Sequence, residues 1–254
     1  MNRKKIIFNA DDYGHTKGIN LGIIDSHQNG PVTSTTIMAN GAAFDHAVIL
    51  AKENPGLKIG VHLTLTTGKS LGGVYETITD EEGNFLTLAK ITKRANEGTL
   101  NINEIVAEYT AQIQKVLDVG LVPEHFDSHH HTHHLPGIFD AFLNVAKAFG
   151  IKKVRMFDKK ILEAKDTDIS TTDGFADGFY GDGVTIENLK KIITDFEGES
   201  LEIMLHPAFV DSRLYKTSSY SIQRTFELEV LTSKELREFL NNNTNYQLCS
   251  FSTL

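Results

Sequence analysis

The chain has 254 residues, 40% of them hydrophobic and 23% charged, which is the composition of an ordinary globular protein. Its 25 Lys and Arg against 33 Asp and Glu give a formal net charge of −8, so nucleic-acid binding is not expected. The single cysteine, Cys249, excludes an internal disulfide framework and a zinc site built from cysteines. No apolar run approaches the roughly 18 residues of a membrane span. The run 6–8 is too short for a signal-peptide core, so a cytoplasmic location without a membrane partner is expected.

Short β-type runs alternate with helical patterns along the chain. The predicted strands are 6–9, 32–38, 57–65, 124–129, 153–157, 201–205 and 246–251. The predicted helices are 16–29, 42–53, 103–117, 136–149, 189–196 and 221–240. Two stretches, 68–98 and 166–183, show no sustained period and are predicted to be irregular.

This alternation predicts a parallel α/β architecture in a single domain, residues 1–254, with a long excursion near 67–100. About seven strands favour an irregular (β/α) barrel that lacks one strand of the usual eight. An open doubly wound sheet is the alternative, although no G-x-G-x-x-G follows any predicted strand.

Acids, histidines and an arginine fall at the carboxyl ends of five predicted strands. In a barrel this edge carries the βα loops that build active sites, so the residues are expected to converge. They are Asp11 and Asp12 after the first strand, His62 in the third, His129 after the fourth, Arg155 in the fifth and His206 after the sixth in chain order.

One carboxylate and two imidazoles would form an open site for a divalent metal, which suits zinc or another transition metal better than magnesium. His62 and His129 are the candidate imidazoles, with Asp127 as a possible partner that orients one of them. A bound metal would favour hydrolysis, with Asp11 as general base and His206 as the acid that protonates a departing amine. Arg155 would keep Asp11 ionised.

Each of these residues also has a simpler interpretation. The acid Asp12, or Thr16, would cap the following helix, and His62 would be a core histidine. The tract 129–134, with five histidines in six positions, would be a solvated loop. A surface ion pair would explain Arg155, and packing before a turn proline would explain His206. Gln223 and Arg224 are expected at the surface, and Cys249 is expected to be buried and inert.

Six motifs in chain order resemble the YdjC-like carbohydrate deacetylases, which include chitooligosaccharide deacetylases. They are Asn9-Ala-Asp-Asp-Tyr-Gly14, Val32-Thr-Ser-Thr-Thr36, Gly60-Val-His62, Asp127-Ser-His-His-His131, His206-Pro207 and Gln223-Arg224. The resemblance implies an irregular barrel related to the NodB-type polysaccharide deacetylases, and a homodimer. It also implies a divalent metal, usually magnesium, on Asp12, His62 and His129, with Asp11 as proton acceptor. The chain departs from the family at Ala208, where a glycine is usual, and this bears on substrate range.

The expected function is a metal-dependent hydrolase that removes N-acetyl groups from N-acetylglucosamine-containing oligosaccharides. Chitobiose or its 6-phosphate is the expected substrate. Two alternatives stand beside it. A phosphoesterase on the same ligands would need more cations at the strand ends than Arg155, and a non-catalytic sugar- or metal-binding protein would bind without turnover.

Overall fold

Seven strands, all in parallel pairs, form the central sheet of the computed structural model, which describes residues 3–165 and 167–254. The spatial order is β4-β3-β2-β1-β6-β5, and β7 pairs with the first residues of β1. The strands are β1 Lys4–Tyr13, β2 Ser34–Ile37, β3 Lys58–Leu63, β4 Phe126–Ser128, β5 Gly174–Ala176, β6 Ser200–Leu205 and β7 Tyr246–Leu248.

Single-residue bridges connect the two ends of this order. Phe126 of β4 pairs with Val154, and Lys153 pairs with Ser170, from which the chain leads into β5. The predicted irregular (β/α) barrel of about seven parallel strands is therefore confirmed.

The prediction was wrong about which segments form regular strands between β4 and β6. The run 153–157 makes only the two bridges, whereas β5 lies inside the segment 166–183 that was predicted to be irregular. Residue 166 itself, like residues 1 and 2, lies outside the described residues. A buried apolar run indicates burial alone, and regular pairing also requires neighbours that run alongside it.

The helices cover the outside of the barrel. They are α1 Lys17–Gln28, α2 Phe44–Glu53, α3 Leu88–Glu97, α4 Ile102–Asp118, α5 Ile138–Ala148, α6 Lys159–Glu163, α7 Ile186–Asp195, α8 Ser212–Thr217, α9 Gln223–Leu231 and α10 Lys234–Asn242. The predicted helix 221–240 is two helices, because Ser233 caps a new one by accepting the backbone N–H of Leu236 at 3.2 Å. Among the described residues, no helix combines the length and the apolar character needed to cross a bilayer.

Alternate residues of each strand face opposite sides of the barrel wall. Ile6, Phe8 and Ala10 of β1 belong to the apolar core beneath the helices. Asn9 and Asp11, which alternate with them, bond to each other at 2.9 Å on the other side. Alternation also places polar residues inside at Thr36, His62, Asp127 and Glu202, all of them buried. The barrel interior near the carboxyl ends of the strands is therefore polar, whereas branched apolar side chains usually fill the interior of such barrels.

A buried carboxylate of α4 holds the start of the long excursion between β3 and α4. Glu108 accepts the backbone N–H groups of Leu71 and Gly72 at 3.0 and 2.9 Å. The excursion also contains helix α3, which the sequence pattern did not predict. The first residues of the excursion are thus held against α4.

Candidate active site

The two adjacent acids at the end of β1 both line one cleft. Consecutive residues of a regular strand would point to opposite faces. Here the pairing of β1 with β2 shifts register between Ala10 and Tyr13, and Asp12 has a left-handed backbone with φ = 69°. Thr16 caps α1 by accepting the N–H of Ile19 at 3.3 Å, so the cap of this helix does not require Asp12.

Asp12, His62 and His129 form a group that fits a divalent metal ion. Asp12 Oδ1 lies 3.4 Å from His62 Nε2 and 3.0 Å from His129 Nδ1. One donor atom from each residue lies within 4.8 Å of the other two. Asp12 Oδ1 is buried, and although both imidazole nitrogens lie near it, no described residue donates to it with the geometry of a hydrogen bond, which fits an oxygen whose partner is a cation. Two nitrogens and one oxygen leave further coordination positions for water and substrate.

Asp127 orients the His62 ring. Its Oδ1 lies 2.7 Å from His62 Nδ1, and Thr36 Oγ1 donates to its other oxygen at 3.0 Å. With its Nδ1 proton directed at this carboxylate, a neutral His62 would present the lone pair of Nε2 to an ion bound beside Asp12. The expected imidazole partner of Asp127 is thus His62 and not the nearby His129.

Arg155 lies beneath the cleft and is completely buried. Its two terminal nitrogens donate to the two oxygens of Asp11 at 2.6 and 2.7 Å. It also contacts Asp127 at 2.9 Å and Glu202 at 2.8 Å. The alternative of a surface ion pair is therefore wrong, and one guanidinium is shared by three buried carboxylates.

The sharing gives these carboxylates different proton affinities. Burial alone would raise the pKa of Asp11, but the charge of Arg155 holds it below its usual range. Burial and the negative charges of Asp127 and Asp11 raise the pKa of Glu202 to about 7, although the charge of Arg155 opposes them. Near neutral pH, Asp11 is therefore ionised, whereas Glu202 is close to its own pKa and is partly protonated.

The carboxylates also favour positive charge at His62. Burial would lower the pKa of this imidazole, but Asp127, Asp12 and Asp11 raise it to about 10. A cation bound at Nε2 would take the place of the second ring proton. Asp12 itself has a pKa well below its usual range because the charges of Arg224 and His129 outweigh the effect of burial.

His206 follows β6 and lines the same cleft, with Nε2 4.0 Å from Asp11 Oδ2. Burial, together with the charge of Arg224, lowers the pKa of this imidazole to about 4. The backbone N–H of His206 donates to the buried carboxylate of Glu227 at 2.5 Å. These contacts keep a neutral imidazole next to Asp11.

The histidine tract forms the 3-10 turn His129–His134, in which only some members face the cleft. His130 and His131 have left-handed backbones, with φ of 55° and 52°, and both line the cleft beside His129. His133 is buried, stacks on Phe142 and has Nε2 3.1 Å from the carbonyl oxygen of Arg155. The tract thus divides into cleft-lining residues and a core residue, which rules out a simple solvated loop.

The expectation of a surface position for Arg224 was wrong. Its side chain is buried, donates to Asp12 Oδ2 at 2.6 Å and donates through Nε to the carbonyl oxygen of Tyr220 at 2.8 Å. Because Arg224 binds Oδ2, Oδ1 is the oxygen left to face the two imidazoles. The buried face of α9 consists of Arg224, Glu227, Leu228 and Leu231. By helical spacing, Arg224 and Glu227 share a face with the apolar Leu228 and Leu231. That pattern in the sequence could have indicated that Arg224 is buried.

The cleft has a volume of about 510 Å³. Of the six candidate residues, five line it, and Arg155 supports it from below. Its other lining residues are mainly hydroxyl-bearing, aromatic or imidazole side chains, among them His15, Thr67, Tyr180, Thr217, Ser218, Ser219 and Tyr220.

Comparison with known proteins assigns the chain to a family. Residues 5–242 match the family described as YdjC-like protein. The chain belongs to this YdjC-like family. A relative named carbohydrate deacetylase, from Clostridium beijerinckii, is 42% identical over 252 residues, which cover 98% of this chain and 100% of the relative.

Two solved structures share this fold. A protein from Enterococcus faecalis, assigned provisionally to cellobiose-phosphate cleavage, has a TM-score of 0.87 and 32% identity, and the match covers 99% of each chain. A family 4 carbohydrate esterase from Streptomyces lividans has a TM-score of 0.54 at 9% identity, covering 100% of this chain and 96% of the esterase. The second likeness concerns the fold alone, and it confirms the predicted relation of this YdjC-like barrel to the NodB-type deacetylase fold.

Replacing Arg155 by Met should destabilise the protein by about 3–5 kcal/mol, because three buried carboxylates lose their counter-charge. Without it their pKa values rise in the folded state, so the loss should be largest at about pH 8 and smaller at about pH 5. Urea unfolding of Arg155→Met at both pH values measures this, with the exposed Arg237→Met as control. A loss below about 1 kcal/mol at both pH values would contradict the shared-charge arrangement.

Replacing Arg224 by Met should weaken metal binding by about 10–100-fold, because the Asp12 carboxylate loses the contact that fixes its orientation. Competition between the protein and a coloured chelator for Zn²⁺ or Co²⁺ measures the affinity directly. The exposed Arg213→Met, on α8, is the matched control. Equal affinities in the two variants would show that Arg224 does not position Asp12.

Proposed function

We propose that this chain is a metal-dependent carbohydrate deacetylase that hydrolyses N-acetyl groups of N-acetylglucosamine-containing oligosaccharides. The observation that carries the proposal is the metal-ligand group Asp12, His62 and His129, with an ionised Asp11 beside it in one cleft. The carbohydrate deacetylase name of the Clostridium beijerinckii relative supports the reaction and substrate class.

Asp12, His62 and His129 would hold the ion. A divalent cation there would supply a Lewis acid that makes a water molecule more acidic and polarises the acetyl carbonyl. Asp11 accepts the proton of the attacking water. Because Arg155 lowers the pKa of Asp11, this carboxylate is a weak base, and it is suited to a water that is already acidic.

The proton that Asp11 takes from water is then needed by the leaving nitrogen when the C–N bond breaks. The water oxygen forms a bond to the acetyl carbon, the C–N bond breaks, and the leaving nitrogen requires a proton. His206, neutral at rest, lies 4.0 Å from Asp11 and can carry that proton to the nitrogen. The products are acetate and a free amine on the sugar.

Charge in the cleft favours this reaction over the phosphoesterase alternative. Among the described residues that line the cleft, Arg224 is the sole lysine or arginine, and it is bound to Asp12. A site for phosphate esters would be expected to direct free cations at the substrate. By the same reasoning the cleft suits chitobiose better than its 6-phosphate, and chitobiose is the substrate that we propose.

The choice of metal follows from the donor atoms. Two imidazoles and one carboxylate favour zinc or another transition metal, whereas the family resemblance implies magnesium. Metal analysis of the purified protein, followed by chelation and reconstitution with each ion, separates the two.

We also propose that the protein assembles as a homodimer, as the resemblance implies. Ile222 and Phe226 lie one helical turn apart and are 53% and 52% exposed, which supports an apolar contact surface. Sedimentation equilibrium measures the assembly.

The Asp11→Asn variant tests the reaction. We expect it to bind metal as the unmodified protein does and to release acetate at least about 100-fold more slowly, because the proton acceptor is lost. His129→Ala, in contrast, should lose the metal as well as the activity, and the exposed Asp45→Asn is the control. Acetate release is measured over a panel of acetylated sugars, and retained turnover in Asp11→Asn would remove Asp11 from this role.

A further inference from the structure

Two stacked tyrosines form one wall of the cleft. Tyr180 follows β5, and its ring lies parallel to that of Tyr220, with centroids 3.9 Å apart and an angle of 13° between the planes. The Tyr180 ring also lies edge-on to the His206 ring, with their centroids 5.5 Å apart. Tyr220 is 8% exposed, whereas Tyr180 is 44% exposed. One aromatic ring therefore rests on another and remains accessible beside His206.

A buried carboxylate holds this wall in place. The Tyr220 hydroxyl donates to Glu227 at 2.6 Å and accepts the backbone N–H of Gly181 at 3.1 Å. Glu227, fully buried in α9, also accepts the backbone N–H of His206. The stacked rings and the imidazole thus share one support, which fixes the position of the Tyr180 ring relative to His206.

The chemistry of the cleft indicates what this ring would bind. The face of an aromatic ring carries negative charge density and attracts weakly positive C–H groups. The lining of the same cleft also includes the polar side chains of Asp177, Thr217, Ser218 and Ser219. A pyranose ring offers both kinds of surface, because its C–H groups gather on its faces and its hydroxyl groups lie around its edge.

We propose that Tyr180 is a stacking platform for the sugar ring that lies next to the bond being cleaved. This rests on the proposed function, since it places a pyranose in the cleft. The ring contributes through its face, and its hydroxyl group is not required. Tyr180 therefore acts in substrate binding, whereas Tyr220 and Glu227 position it.

The experiment compares Tyr180→Ala with Tyr180→Phe, which keeps the ring and removes the hydroxyl. The control is Tyr215→Ala, because Tyr215 is more exposed, at 64%, and does not line the cleft. Calorimetry in the Asp11→Asn background measures binding of N,N′-diacetylchitobiose, N-acetylglucosamine and cellobiose. We expect Tyr180→Ala to weaken binding about tenfold, and Tyr180→Phe and Tyr215→Ala to change it less than about twofold.

Kinetics in the otherwise unmodified enzyme give a second measurement. Tyr180→Ala should raise KM for the acetylated disaccharide about tenfold with kcat nearly unchanged, because stacking stabilises substrate and transition state alike. Hydrolysis of 4-nitrophenyl acetate, which has no sugar ring, should not change.

The outcomes separate this proposal from the proposed function. Sugar binding that depends on Tyr180, without acetate release, would overturn the function and leave the platform standing. Deacetylation with equal binding in Tyr180→Ala would overturn the platform alone. The platform is also wrong if Tyr180→Phe loses as much affinity as Tyr180→Ala, or if none of the three sugars binds.

Discussion

The site depends on one guanidinium inside the barrel. Arg155 is the counter-charge for Asp11, Asp127 and Glu202, which are all buried. Through Asp11 it sets the charge of the proposed proton acceptor, and through Asp127 it acts on the orientation of His62. Three carboxylates exceed one positive charge, and the raised pKa of Glu202 relieves part of that excess. The polar interior is thus a single electrostatic unit.

Helix α9 holds cleft residues that Arg155 does not contact. Its buried face directs Arg224 at Asp12 and Glu227 at His206 and Tyr220. These two residues are three positions apart and therefore lie on one side of the helix. The barrel presents the proposed metal ligands, and a helix outside the barrel holds one of them together with the proposed acid and the aromatic wall.

Much of this arrangement could be predicted from the sequence, because strand ends meet at one edge of a barrel. Asp11, Asp12, His62, His129 and His206 were located by that rule. The rule does not reach Arg224, Glu227 or Tyr180, since none of them ends a predicted strand. Strand β5 was missed because three residues carry too little periodicity, and 153–157 was overestimated because burial does not specify pairing.

The left-handed backbone of Asp12 has a consequence for protein design. The two adjacent acids face one cavity because the chain breaks the usual alternation at this point. Transplanting the dipeptide onto a straight strand of another barrel would direct one acid outward into the helical layer. A designer who borrows this motif must therefore copy the irregular backbone as well as the side chains.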